Sequence, residues 1–494
     1  MNATVEFFKK RRAGILLHPT SLPGGYGNGD LGKEAYHFID FLVNCGLSVW
    51  QMLPLGPPHA DLSPYQCQSV HAANPALICL DSLVEKGWLN AFHLPELSCA
   101  QDALNYRYAR LKEARVGFNL HASQTDKADF KIFIEKNAFW LNDYALFRAL
   151  KTNSHNKAWW DWEAGLRDRK PQTLRKAQKQ LAESIEQHQF EQFVFFSQWQ
   201  KLKNYAHQKG VSLFGDMPIF VAGDSSDVWA QRENFLLDKK GQPSVVAGVP
   251  PDYFSATGQR WGNPHYHWDG MQADGFSWWI KRLETAQVLF DVIRIDHFRG
   301  FEACWMIPAS ESVATNGEWV KVPGLALFEK LEQVNTLPLV AEDLGVITEP
   351  VIELRDRFGL PGMKILQFAF DSGSDNPYLP HNHVPNCVVY TGTHDNNTTL
   401  GWFKELPAAT QQYMCEYLHT TPYEVPWNLV EAAFASVARL AMIPMQDILT
   451  ADADQRMNTP GTAEGNWQWR FNWSQLPVGV SEKLKHWAKF YERI

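Results

Sequence analysis

Short apolar runs rich in β-branched and aromatic residues recur at 14–19, 49–55, 211–220, 291–298, 337–344, 363–368, 387–395 and 440–449. Runs of that length, bounded by polar or turn residues, read as strands. Between most of them lie stretches with helical spacing of apolar positions, for example 33–45, 276–290 and 324–334, so strand and helix alternate as in parallel βα units. Eight such strands predict an α/β fold of the (β/α)8 TIM-barrel type, in which the strand ends converge on one face. Several runs end in a polar side chain: His18, Asp216, Asp296, Glu342, Asp395, and Gln446 with Asp447.

Alternation within a run shows which residues share a face. In DVIRID, 291–296, a period of two puts Arg294 and Asp296 on one face and Ile293 and Ile295 on the other. In 387–395 the same count groups Thr391, Thr393 and Asp395 opposite Val388 and Tyr390. At Glu342 the adjacent Asp343 leaves the choice between the two open.

Spacing along the chain is uneven. About 150 residues separate the second and third runs, too many for one crossover helix, so an insertion is expected there. Its content, through Phe139-Trp140-Leu141 and 178–200, reads as mainly helical. The expected division is a catalytic barrel from 1–56 and 205–494 with a helical insertion subdomain at 57–204. The connections 221–276 and 452–473, rich in Gly, Pro, Tyr and Trp and poor in periodicity, are expected to be loops that cover a site.

With 494 residues the chain can bury a large core. A net charge of −8 and a pI near 6.1 argue against nucleic acid, whose phosphates need a basic field. The most basic stretch, 167–179, reads as a solvated helix face. Seven cysteines, an odd number with no CxxC pair, fit reduced thiols in a cytoplasmic enzyme without disulfides or a zinc site. The amino terminus MNATVEFFKKRRAG lacks a signal peptide's apolar core, and no run approaches the ~18 apolar residues of a span, so no membrane partner is expected. Of the twenty tryptophans, several sit in polar, Gly- or Pro-containing surroundings such as QRWGNP and GNWQWR, which suits stacking on sugar faces.

Two patterns imitate other sites. Gly27-x-Gly29-x-x-Gly32 matches a dinucleotide fingerprint, but the acid expected about 20 residues on is missing from LSVWQML, leaving a glycine-rich turn at the mouth of the first strand. His265 with His267, and His381 with His383, have the H-x-H form of metal ligands without a second ligand cluster. They read as surface or loop histidines, and no metal or other cofactor is expected.

Glycosyl transfer through a covalent intermediate needs a carboxylate nucleophile and a second carboxyl group about 5–5.5 Å away that donates and then accepts a proton. Asp296 suits the nucleophile, because Arg294 on the same face favours its ionised form. Glu342 suits the acid/base if burial raises its pKa. Asp395 would then hold sugar hydroxyls and stabilise positive charge at the anomeric carbon, with His394 adding hydrogen bonds.

RIDHFRG around Asp296, AEDLG around Glu342 and THDNNTT around Asp395 resemble motifs of the amylomaltases, the 4-α-glucanotransferases or disproportionating enzymes of the retaining α-amylase superfamily. GILLHPTSLPG near Gly14, SPYQ at 63–66, GDMPIFV at 215–221, VPPDYFSATGQRWGNP at 249–264, and RMNTPGT with GNWQWR after Arg456 extend the likeness over nearly the whole chain. The resemblance implies Asp296 as nucleophile, Glu342 rather than Asp343 as acid/base and Asp395 as transition-state stabiliser. It implies Arg294 and His394 as partners of the donor sugar, Tyr65 as the aromatic platform beneath it and Asp216 as a substrate-holding acid. It also implies Tyr253, Gln259 and Trp261 in a loop over the acceptor side, with Asn458 in the facing loop. The implied fold is the barrel with helical insertions, no separate carboxy-terminal β domain and no required metal. The implied substrates are maltooligosaccharides, starch- or glycogen-type α-glucans and glucose. Because the likeness begins within about the first dozen residues, it implies a chain without an amino-terminal extension or transit peptide. Arg260 in the loop, and Cys67 and His71 after SPYQ, depart from the family pattern and bear on acceptor preference. An α-amylase-type hydrolase would use the same three acids, and a non-catalytic glucan-binding protein would not need them intact.

Overall fold

The computed structural model describes residues 3–24, 26–91, 100–251, 255–334 and 337–494. Among them the strands are β1 (Arg12–Leu16), β2 (Val49–Gln51), β3 (Ser212–Pro218), β4 (Val245–Val249), β5 (Gln259–Pro264), β6 (Val292–Asp296), β7 (Ala303–Pro308), β8 (Glu318–Lys321), β9 (Leu339–Ala341), β10 (Gly362–Ile365), β11 (Cys387–Tyr390) and β12 (Leu440–Pro444). Eight pair in parallel in the order β10-β11-β12-β1-β2-β3-β6-β9. Across the remaining seam Ala341 N donates to Pro361 O at 2.9 Å and Met363 N to the Asp343 carboxylate at 2.7 Å. The sheet is therefore a nearly closed barrel, and each of its eight strands overlaps one of the eight apolar runs.

Strand alternation sorts the core into two layers. Val49, Phe214, Val292, Val340, Met363, Val388 and Leu440 pack together inside the barrel, with Phe8 among them. Leu213, Met217, Ile293, Ile295, Val389, Ala441 and Ile443 point outward into the layer shared with the helices. Those helices include Lys33–Asn44, Ser277–Leu289 and Gly324–Val334, as the spacing predicts, with Glu349–Arg357, Trp427–Ala435 and Val480–Phe490. Between β10 and β11 the described chain makes only 3-10 turns, Leu366–Phe368 and Pro380–Asn382. Arg493, fully buried, donates to the carbonyls of Arg12, Ala433, Phe434, Ser436 and Ala438, tying the end of the chain to the β1–β12 edge.

Between β2 and β3 lie the long helices Ala100–His121, Gln124–Lys136, Ala138–Asn153 and Ala182–Gln208. No helix among the described residues is long and apolar enough to cross a membrane. Two expectations need correction. The 221–276 connection is not all loop: it contributes β4 and β5 to a four-stranded antiparallel sheet, β5-β4-β7-β8. The run 440–449 is a strand only as far as Pro444, after which Met445–Ile448 is helical.

β1 and β2 approach closely at Gly14, where a Cβ would lie 2.2 Å from the Val49 carbonyl oxygen and 2.7 Å from its Cβ. Gly14→Ala forces β1 from β2 and is expected to cost about 1–3 kcal/mol in urea unfolding, as overpacking does. An unchanged midpoint would show that the two strands separate freely.

Candidate active site

The barrel register brings the first charged pair together. Asp216 on β3 lies opposite Arg294 on β6, and both follow the parity of the inward residues Phe214 and Val292. Arg294 donates from Nη1 to Asp216 Oδ2 at 2.5 Å, and its Nη2 lies 2.9 Å from Asp296 Oδ1. Asp216 is buried, whereas the Asp296 side chain keeps 28% of its surface accessible at the barrel mouth.

From Asp216 the contacts continue outward. Tyr65 Oη donates to Asp216 Oδ2 at 2.6 Å and lies 2.8 Å from His394 Nε2. With the tyrosine proton given to Asp216, His394 must carry its own proton on Nε2 and donate it to Tyr65. The two rings are stacked, 5.3 Å apart and 11° from parallel. His394 Nε2 is 3.4 Å from Asp395 Oδ2, and Asn458 Nδ2 donates to Asp395 Oδ1 at 2.6 Å. One chain of polar contacts therefore joins Asp296, Arg294, Asp216, Tyr65, His394, Asp395 and Asn458.

Glu342 stands beside this chain. It follows β9 with the inward parity of Val340, and its Oε2 and Oε1 accept the amides of His297 at 2.7 Å and Leu344 at 2.9 Å. Asp343 turns away to Arg355 at 2.6 Å and to the Met363 amide, which separates the two acids that alternation alone left open. His297 has φ +53, a left-handed turn that aims its amide at Glu342. On the other side Trp261 meets the His297 ring edge-on at 4.8 Å, and Trp261 Nε1 donates to Gln259 Oε1 at 3.1 Å. Tyr253 lies outside the described residues.

Asp395 reaches the mouth by a route that differs from the alternation argument. Val388 and Tyr390 point into the barrel, so continued alternation would send Asp395 outward. Instead β11 stops at Tyr390, and the chain turns, with Asn396 Oδ1 accepting Thr393 N and Oγ1. Asp447, expected among the converging strand ends, is buried against Thr391 and Thr399. His18 and Gln446 do line a small recess with His394.

Further contacts at the mouth come from residues that the motifs did not single out. Trp467 packs 5.8 Å from Tyr65 and 6.0 Å from His394, and Arg456 Nη2 donates to the Asp395 carbonyl at 2.9 Å. Both lie in the RMNTPGT and GNWQWR segments, so their polar surroundings were the available signal. His265 and His383, in loops as expected, are buried rather than at the surface. A cavity of about 1240 Å³ between the insertion and the barrel helices contains none of the three acids.

Burial pushes Asp296 up to about 8; Arg294 opposes this, and Asp216, Glu342 and Asp395 add to it. Arg294 favours the ionised form of Asp296, as its place on the same face predicts, and burial acts against it. Burial also raises Glu342, against Arg294 and the two backbone amides. Burial disfavours the Arg294 charge too, but Asp216 and Asp296 hold its pKa well above the usual value. Asp296 and Glu342, both raised by burial and acting on one another, titrate as a pair.

A parallel barrel whose strand ends gather carboxyl groups around a guanidinium is an enzyme scaffold suited to glycosidic bonds. A protein-family profile described as 4-alpha-glucanotransferase matches residues 17–475. The chain is 50% identical over 499 residues to the 4-alpha-glucanotransferase of Thermus thermophilus, over 98% of this chain and 99% of that one. It is 48% identical over 497 residues to that of Synechocystis sp., over 98% of each. The fold matches amylomaltase from Streptococcus agalactiae in complex with acarbose, with a TM-score of 0.94, 37% identity, and coverage of 98% of this chain and 100% of that one. The chain belongs to the 4-alpha-glucanotransferase family.

Burial lowers His18 to about 3, with His394 adding to the effect. The unfolded imidazole takes up its proton near 6.5 and the folded one does not, so this contribution to stability is full above pH 6.5 and is lost as pH falls toward 3. Across that window the group adds a slope of about 1.4 kcal/mol per pH unit. His18→Gln is expected to flatten the acid side of a plot of unfolding free energy against pH by that much; an unchanged slope would show that His18 charges in the folded state.

Proposed function

We propose that the protein is a retaining 4-α-glucanotransferase in which Asp296 is the nucleophile, Glu342 the acid/base and Asp395 the transition-state stabiliser. The observation that carries this reading is the continuous polar chain from Asp296 through Arg294, Asp216, Tyr65 and His394 to Asp395, with Glu342 beside it. Asp296 attacks the anomeric carbon of an α-1,4-glucan, the glycosidic C–O bond breaks, and Glu342 protonates the departing 4-oxygen. The acceptor's 4-hydroxyl then gives its proton to Glu342 and attacks the same carbon, releasing Asp296. Two inversions retain the α configuration. The proton shared by the pair rests on Glu342 in the reactive state, because the guanidinium contacts Asp296.

Asp395, joined to His394 and Asn458, faces the sugar hydroxyls and the positive charge at the anomeric carbon. Tyr65 and His394 supply the stacked surface and hydrogen bonds for the donor sugar, and Asp216 holds both Tyr65 and Arg294. Tyr253, Gln259 and Trp261 contribute on the acceptor side. We infer 57–204 to be an insertion subdomain and 221–276 and 452–473 to cover the substrate. Maltooligosaccharides, longer α-glucans and glucose are the partners, and the cytoplasm is the setting that fits the cysteine pattern.

Incubation with maltotriose is expected to yield glucose and longer oligosaccharides at constant total reducing ends. Glucose and maltose with rising reducing ends would make the enzyme a hydrolase. Asp296→Asn is expected to lower the rate about 10⁴-fold or more, as loss of an acting nucleophile does; an unchanged rate removes the nucleophile assignment. Arg294→Gln withdraws the cation that opposes the rise of Asp296, so Asp296 ionises at higher pH. The acid limb of the pH–rate profile is expected to move upward by about one unit or more, and a stationary limb would show that Arg294 does not govern that ionisation.

A further inference from the structure

Asp447 is left unused by the mechanism above, although burying its carboxylate is costly. It is 1% exposed, on the short helix that follows β12. Its Oδ2 accepts the hydroxyls of Thr391 at 2.5 Å and Thr399 at 2.7 Å, and its Oδ1 accepts the Thr399 amide at 2.8 Å. All three donors are neutral, and Asp447 has no salt bridge among the described residues. A buried carboxylate held in this way is a poor choice for stability alone.

What it connects explains its presence. Thr391 follows the last residue of β11, and Thr399 opens the helix Thr399–Glu405. The chain between them carries His394 and Asp395. One carboxylate thus closes that segment at both ends. Gln367, beyond β10, grips the same segment, its Nε2 donating to Asn397 O at 2.9 Å and its N to Thr391 O at 3.2 Å. Asp395 itself, 48% exposed in its side chain and beyond the end of its strand, has no ladder partner to fix it.

We infer that Asp447 is a positioning residue for the reaction: by pinning Thr391 and Thr399 together it sets the place of Asp395 against Asp296. This rests on the role proposed for Asp395. The disproportionation of maltotriose by Asp447→Ala is the test, with folding checked by circular dichroism. Because Asp395 acts at the transition state, kcat is expected to fall about 100-fold with KM within about threefold, the scale of loss for an ångström of misplacement. A folded variant with kcat within about twofold of the parent, or a loss confined to KM, would overturn the inference. Should Asp447→Ala not fold, the near-isosteric double variant Thr391→Val with Thr399→Val removes the hydroxyl donors and keeps the amide. Its kcat is then expected to fall about tenfold, and unchanged kcat would overturn the inference equally. Asp395→Asn separates the two claims, since parental kcat in that variant would sink the role of Asp395 whatever Asp447 does.

Discussion

The buried guanidinium of Arg294 is the constraint around which the mouth of the barrel is built. Four carboxyl groups, Asp216, Asp296, Glu342 and Asp395, act on one another there, and Arg294 is the cation in contact with two of them. Taking such a group out of water is costly unless its donors are matched by acceptors at short range. The match is made by backbone register: β3 and β6 pair so that Asp216 and Arg294 are direct neighbours. A slip of one residue would turn Arg294 to the outer face, where Ile293 and Ile295 pack against the helices, and would bring an isoleucine inward. Register, charge balance and core packing therefore protect one another.

The acidic groups differ in how firmly the fold holds them. Asp216 and Asp296 belong to strands, so the barrel sets their directions. Glu342 lies just beyond β9, and two backbone amides replace the ladder it lacks. Asp395 belongs to a turn and depends on side chains, Asn458 from one direction and His394 from another. The hold of the backbone thus weakens from the Asp296 side of the mouth to the far side, where the segment around Asp395 relies on contacts to the loops beyond β10 and β12.

Where backbone period alone decides the outcome, the sequence was legible. DVIRID assigned Arg294 and Asp296 to one face because the strand continues through Asp296, and the eight apolar runs located all the barrel strands. The same count failed in TGTHD because β11 ends at Tyr390, and a turn has no period of two. The β4–β5 hairpin escaped notice because VVAGV is short and carries a glycine while QRWGNP mixes glycine, proline and polar residues; their strand character comes from β4 pairing with β5 on one side and with β7 on the other, the latter a non-local effect. Alternation could not tell Glu342 from Asp343; the partners that separate them are Arg355 and Met363 for Asp343, and His297 and Leu344 for Glu342. Likewise Arg294 was legible as a charge beside Asp296, but burial, which outweighs its pull, is a property of the assembled barrel.

On the proposed mechanism, Glu342 must change protonation state twice without leaving its place. The two amides meet this need, because each Glu342 oxygen keeps a further acceptor position for a sugar hydroxyl while the backbone holds the carboxyl group. The His297 amide comes from the turn directly after Asp296, so the nucleophile's strand orients the acid/base. The His297 ring also meets Trp261 edge-on. That turn therefore joins three groups of the mouth: Asp296 before it, Glu342 through its amide and Trp261 through its ring.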